Sequence, residues 1–221
     1  MKLSKKTLEV LRNFASINQN ILIRPGNKLT TRSVAKTIFV EADVDDAFDQ
    51  EFGIYNLNEL LGVVGLFSEP EFALTENAVT ISQGRNTVQY SFASPEVLDY
   101  PDTEFKGRNM PMDASFELTE ENLKSLLKAG SVLSGTDLQI TGKNGIIQCT
   151  VLDPKNPSSN TFTVEVGTTD REFQAFIKLE NLKMIPGMYD VGLSSKKIAK
   201  FASKTFDYTM YVANEKTSVW S

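Results

Sequence analysis

The chain has 221 residues, a net charge of −5 and 41% hydrophobic residues. That composition supports a packed core and excludes wholesale disorder, and no apolar run approaches the roughly 20 residues of a membrane-spanning helix. With no histidine and a single cysteine, Cys149, the chain has no intramolecular disulfide, no Ser-His-Asp or Cys-His arrangement and none of the commonest zinc ligand.

The opening Met1-Lys2-Leu3-Ser4-Lys5 lacks the apolar core of a signal peptide, so a soluble, non-secreted chain is expected. Leu8, Leu11, Phe14 and Ile17 then share one face of a helix, with Ser4 as its N-cap. Short alternating strands follow near residues 21–24, 28–32 and 36–42, joined at the first turn by Pro25-Gly26-Asn27. Asp43, Asp45, Asp46 and Asp49 form the densest acidic cluster. It reads as a solvated loop, with a metal site or acid/base pair as the rival. A second helix is expected over residues 57–64 and β-like segments over 79–92. Residues 93–112 hold Pro95, Pro101 and Pro111 without periodicity, the composition of an exposed connector.

The pattern then begins again. Thr119 caps a helix with Leu123, Leu126, Leu127 and Leu133, and strands follow near 137–141, 145–152 and 161–167. Cys149 sits in an alternating run as a small buried hydrophobe. A fourth helix is expected over 179–185, stopped by Pro186-Gly187, with β-like segments over 189–213. Ser194-Ser195-Lys196-Lys197 with Lys200 reads as a solvated turn, with DNA or protein contact as the alternative. Trp220 reads as a residue folded back on its own domain. Leu3, Leu8 and Leu11 are matched by Leu118, Leu123 and Leu126; Leu57 and Leu60 by Leu179 and Leu182. The fold class is therefore α+β, a tandem duplication with domains at 1–92 and 113–221 and two helices packed on sheet in each.

These residues carry a resemblance. Met1-Lys2-Leu3-Ser4-Lys5 continuing into Leu11-Arg12-Asn13-Phe14-Ala15-Ser16-Ile17-Asn18 resembles the opening of the T-even-type phage sliding clamps. Ile54-Tyr55-Asn56-Leu57-Asn58-Glu59-Leu60-Leu61-Gly62 and Leu182-Lys183-Met184-Ile185-Pro186-Gly187-Met188-Tyr189 resemble the second helices of that family's two domains. The resemblance implies a homotrimeric ring of six domains, sheets outside and helices lining the hole, around duplex DNA without sequence preference. It implies work with the phage DNA polymerase, a clamp-loader ATPase and late-transcription factors in the cytoplasm of the infected bacterium. It implies no catalytic residue, metal or cofactor and no membrane partner.

On that reading Lys5, Arg12, Lys124 and Lys128 face DNA, with Lys6, Lys178 and Lys183 as further candidates; taken alone, all are ordinary solvated helix faces. The second helix offers only Asn58 and Glu59, a departure from an evenly basic lining. Carry-over places the subunit interface on residues 87–92, with Val88, Tyr90 and Phe92, and on 161–167, with Phe162, Val164 and Val166. It places a pocket for partner peptides at Val97, Leu98, Tyr100, Tyr211 and Val212. A net charge of −5 suits a ring whose basic surface is local and whose exterior repels DNA. The rivals are a β-rich tail or baseplate protein and a carboxylate enzyme. No GxxxxGK[ST] loop is present, so ATP handling by this chain is not expected.

Overall fold

The computed structural model describes residues 1–101 and 105–220. It divides into two compact units, Met1–Thr103 and Glu104–Ser221; the boundary falls inside the expected connector.

In the first unit, α1 (Lys5–Ile17) starts where the Ser4 hydroxyl accepts the Thr7 N–H, the capping bond that Ser favours. Its buried face is Thr7, Val10, Leu11, Phe14, Ala15 and Ile17, packed on β3 and α2. Phe14 and Leu11 are almost wholly buried, each contributing about 2 kcal/mol of transfer free energy. Then come β1 (Ile21–Ile23), β2 (Gly26–Arg32), β3 (Ile38–Phe48), β4 (Phe52–Ile54), α2 (Leu57–Val64), β5 (Glu71–Leu74), β6 (Ala78–Gln83) and β7 (Asn86–Ser91). Strand β1 pairs β4, β2 pairs β3, and β5-β6-β7 form a three-stranded sheet, all antiparallel. The acidic cluster is not a loop: Asp43, Asp45 and Asp46 lie on β3, where alternation turns Asp43 and Asp45 away from the core that Val40, Ala42 and Val44 enter, while Asp46 is half-buried and bonded to the start of α1.

The second unit repeats the scheme. Strand β8 (Ala114–Leu118) leads into α3 (Glu120–Leu133), capped by Thr119 and closed by Ser134 in the left-handed region. Strands β9 (Asp137–Lys143), β10 (Ile146–Leu152), β11 (Phe162–Thr168) and β12 (Phe173–Lys178) follow, then β13 (Tyr189–Ser194), β14 (Ile198–Ser203), β15 (Tyr208–Ala213) and β16 (Val219–Trp220). One sheet runs β11-β10-β9-β12-β16; β15, β14, β13 and β8 are neighbours in the other. The β9–β10 hairpin turns through Asn144 and Gly145, both at positive φ, as two-residue hairpins require.

The expected fourth helix does not form. Only a single 3-10 turn, Leu179–Asn181, is present, and Leu182 already leaves helical space at ψ 56. Pro186 accounts for this: its ring clashes with the carbonyl four residues back and pushes Ile185 out of the helical region. The described residues therefore hold three α-helices, two in the first unit and one in the second.

The connector composition also misleads. Ala93 N–H donates to the Gly53 carbonyl at 2.9 Å. Asp99 is held by Arg32 at 2.7 Å, its N–H donates to Asn20 Oδ1, and its carbonyl accepts from Asn18 Nδ2. Residues 93–101 are thus fastened to the first unit, and the Phe105 ring lies tilted against Tyr211 in the second, 4.9 Å between centroids. Residues 102–104 of the expected connector lie outside the described residues.

Candidate nucleic-acid and subunit interfaces

Amphipathic packing decides which cations are presented. Burying the Val10-Leu11-Phe14 face of α1 leaves Lys5 and Arg12 exposed together on the opposite side. Lys6 is half-buried and pairs with Asp45 at 3.3 Å. On α3, burial of Leu123, Leu126 and Gly130 leaves Lys124 and Lys128 exposed. Lys124 lies 2.5 Å from Glu120 one turn earlier, a surface pair worth a few tenths of a kcal/mol. Helix α2 presents Asn58 and Glu59 to solvent and no basic residue.

Lys178 and Lys183 are placed differently from the first four. Lys178 ends β12, directly across the ladder from Asp137. Its ammonium donates to both Asp137 oxygens at 2.8 and 2.9 Å, and that hydrogen bond raises its pKa. It is a structural cation before it is anything else. Lys183 is exposed, but on the irregular segment before Pro186 rather than on a helix.

Strands β7 and β11 each lie at the end of a sheet. Among the described residues β7 is bonded only to β6, and β11 only to β10. On β7, Thr87, Gln89 and Ser91 are exposed while Val88 and Tyr90 are half-buried. The Tyr90 hydroxyl donates to the Asn56 carbonyl at 3.1 Å and to Glu59 at 3.3 Å; burial first, then the Glu59 charge, raises its pKa. Phe92 stacks on Phe52 at 4.6 Å. On β11, Phe162, Val164 and Val166 are half-buried and Thr163 and Glu165 exposed. The apolar residues on both edges therefore turn toward their own units, leaving backbone groups and polar side chains outward. Strand β11 also carries a bulge. Ile147 opposes Gly167 and Gln148 opposes Glu165, so Val166 has no opposite residue.

The residues expected to wall the peptide pocket are divided between the two units, Val97, Leu98 and Tyr100 in the first and Tyr211 and Val212 in the second. Val97 is exposed at the end of a 3-10 turn. Leu98 packs over Gly53, where a Cβ would come within 2.5 Å of Leu98 Cδ1. Tyr100 lies beneath the Arg24 guanidinium at 5.3 Å. Val212 is fully buried and Tyr211 nearly so, with the Phe105 ring tilted against it. Both faces of β15 are covered, so Val212 cannot form an accessible wall. No motif or spacing signals the tethers of Asp137 to Lys178 and Tyr90 to Glu59, because each joins residues brought together only by strand register or packing.

With this geometry in place, comparison decides the family. The DNA polymerase processivity factor family matches residues 2–97, and the C-terminal family of the gp45 sliding clamp matches residues 115–215. The sliding clamp of Vibrio phage KVP40 is 31% identical, covering 97% of this chain and 99% of that protein. The chain belongs to the phage sliding-clamp family. The clamp of Enterobacteria phage T4 is similar at 30% identity, over 98% of this chain and 99% of its own length. The fold recurs in A. fulgidus PCNA, solved with the C-terminal region of FEN-1 bound, with a TM-score of 0.73 at 11% identity over 99% of this chain and 98% of that one. The α+β clamp architecture and the assignment as a processivity factor of phage DNA polymerase replace the tail or baseplate reading. No helix among the described residues is long and apolar enough to cross a membrane.

Proposed function

We propose that three copies of this sliding clamp close head-to-tail into a ring around duplex DNA and tether the phage polymerase to its template. The observation that carries this reading is the pair of bare sheet edges, β7 on one unit and β11 on the other. A heterologous contact between the β7 of one copy and the β11 of the next would satisfy both edges, and three such contacts would close the assembly. The exposed cations of α1 and α3, Lys5, Arg12, Lys124 and Lys128, would supply weak phosphate attraction in the hole. Retention would come from topology rather than tight binding, which would slow sliding.

The clamp performs no chemistry in this reading. A clamp-loader ATPase opens it, the polymerase and late-transcription factors dock on it, and all act in the cytoplasm of the infected bacterium. The solved PCNA with a bound FEN-1 segment supports docking by partner tails. The test is polymerase product length on primed circular DNA with the cognate loader and ATP. Long products that depend on this protein, and that are lost when the template is linearised, are expected. Unchanged product length on the circle would overturn the reading.

A further inference from the structure

Strand β12 is bonded to β9 along one edge. Its other edge is covered by residues 214–220. Glu215 N–H donates to the Phe176 carbonyl at 2.8 Å, and Phe176 N–H donates to Ser218 Oγ at 3.0 Å. Strand β16 then pairs Val219 with Gln174 and Trp220 with Phe173. The Trp220 indole stacks on the Phe173 ring, 4.6 Å between centroids and 18° from parallel. Gly142 makes room for this: a Cβ there would lie 2.4 Å from the Phe173 ring and 2.7 Å from the Arg171 carbonyl. Beside the stack opens a cavity of about 410 Å³ lined by Thr141, Lys143, Glu172, Gln174 and Val219.

The cover is thin. Its ladder is two residues long, and the Val219 side chain is largely exposed. Both amide atoms of Asn214 and the indole Nε1 of Trp220 are buried without a hydrogen-bond partner, a cost that extended, solvated chain would not bear. One aromatic stack, a few main-chain bonds, the Ser218 hydroxyl and the Lys197 ammonium on the Lys216 carbonyl at 2.7 Å hold the segment against that cost.

We propose that β16 is a displaceable strap, and that the β12 edge beneath it binds an extended peptide segment of a partner protein bearing an aromatic residue. The strap defines the chemistry of its replacement. Main-chain groups of Gln174 and Phe176 add the incoming segment as a strand, and the seat on Phe173 selects a flat aromatic ring. None of the residues involved belongs to the bare edges β7 and β11 or to the cations of α1 and α3, so this site stands or falls apart from ring closure.

Trp220 is the only tryptophan, so the intrinsic fluorescence of the full chain reports the strap directly. The probe is a synthetic peptide with the sequence of residues 214–220 and phenylalanine in place of tryptophan. Titration should give a saturable red shift of Trp220 emission and a rise in its quenching by acrylamide. A peptide with alanine in the aromatic position should bind at least about tenfold more weakly, and a scrambled peptide should have no effect. Emission unchanged up to about 1 mM peptide, or equal effects from the phenylalanine, alanine and scrambled peptides, would overturn the proposal.

Discussion

Lys178 Nζ bridges both carboxylate oxygens of Asp137, whose side chain is 2% exposed. Thr136 Oγ1 adds a third bond to the same carboxylate at 2.5 Å. Removing the cation strands a buried charge, so Lys178→Met should cost about 2–3 kcal/mol, below the usual range for a fully buried pair because the lysine keeps some solvent contact. Urea denaturation measures this. The pair raises the Lys178 pKa, so its stabilisation is complete below the ordinary lysine range and fades as pH climbs through the raised value.

Asp46 does for α1 what the sequence did not reveal. One oxygen, Oδ2, accepts from the Ser4 N–H at 2.8 Å and the Thr7 hydroxyl at 2.6 Å, tying the first turn of the helix to β3. Asp46→Ala should destabilise the chain by about 1–2 kcal/mol, the scale of a lost cap. Asp45→Ala should cost about 0.5 kcal/mol, because its pair with Lys6 is largely at the surface. Parallel thermal melts separate the two.

Lys124→Glu with Lys128→Glu reverses the exposed cations of α3 without touching Leu123 or Leu126. The expected outcome is an intact trimer by light scattering with product length falling toward that of the clamp-free reaction. The salt dependence of DNA association should weaken by about two phosphate contacts. Undiminished processivity would remove α3 from the DNA-facing surface.

Cys149 is fully buried on β10, and desolvation pushes its thiol up to about 12. The native chain should therefore resist alkylation at pH 8 and react only after denaturation, which a thiol-reactive chromophore reads directly. An unfolded thiol ionises near its ordinary value of 9.0 while the native one does not. Stability from this group is complete below that value and is lost as pH rises toward 12.

Local signals carried far. Ser4 and Thr119 were legible as caps, the leucine spacing marked α1 and α3, and the alternation around Cys149 placed it inside. Proline misleads in both directions: Pro186 stops the fourth helix almost before it starts, while the proline-bearing stretch of residues 93–101 is tied down by Arg32, Asn18 and Asn20. Charge was harder to read than apolarity. The partners of Lys178, Asp46 and Glu59 lie 41, 39 and 31 residues away, and no periodicity within a single element encodes such pairings. The edge positions of β7 and β11 came from the family resemblance alone, since no periodicity says which strands fail to pair.

The unmatched Val166 has a consequence for polymer growth. A flat strand edge tolerates sliding by two residues, because each such slip keeps the same side chains on the same face. The kink breaks that equivalence and leaves residues 162–165 as the straight run between it and the start of β11. In the proposed ring, an incoming strand seated out of step would meet the bend, so the extra residue would guard against mis-stepped contacts and the open-ended fibres they would seed.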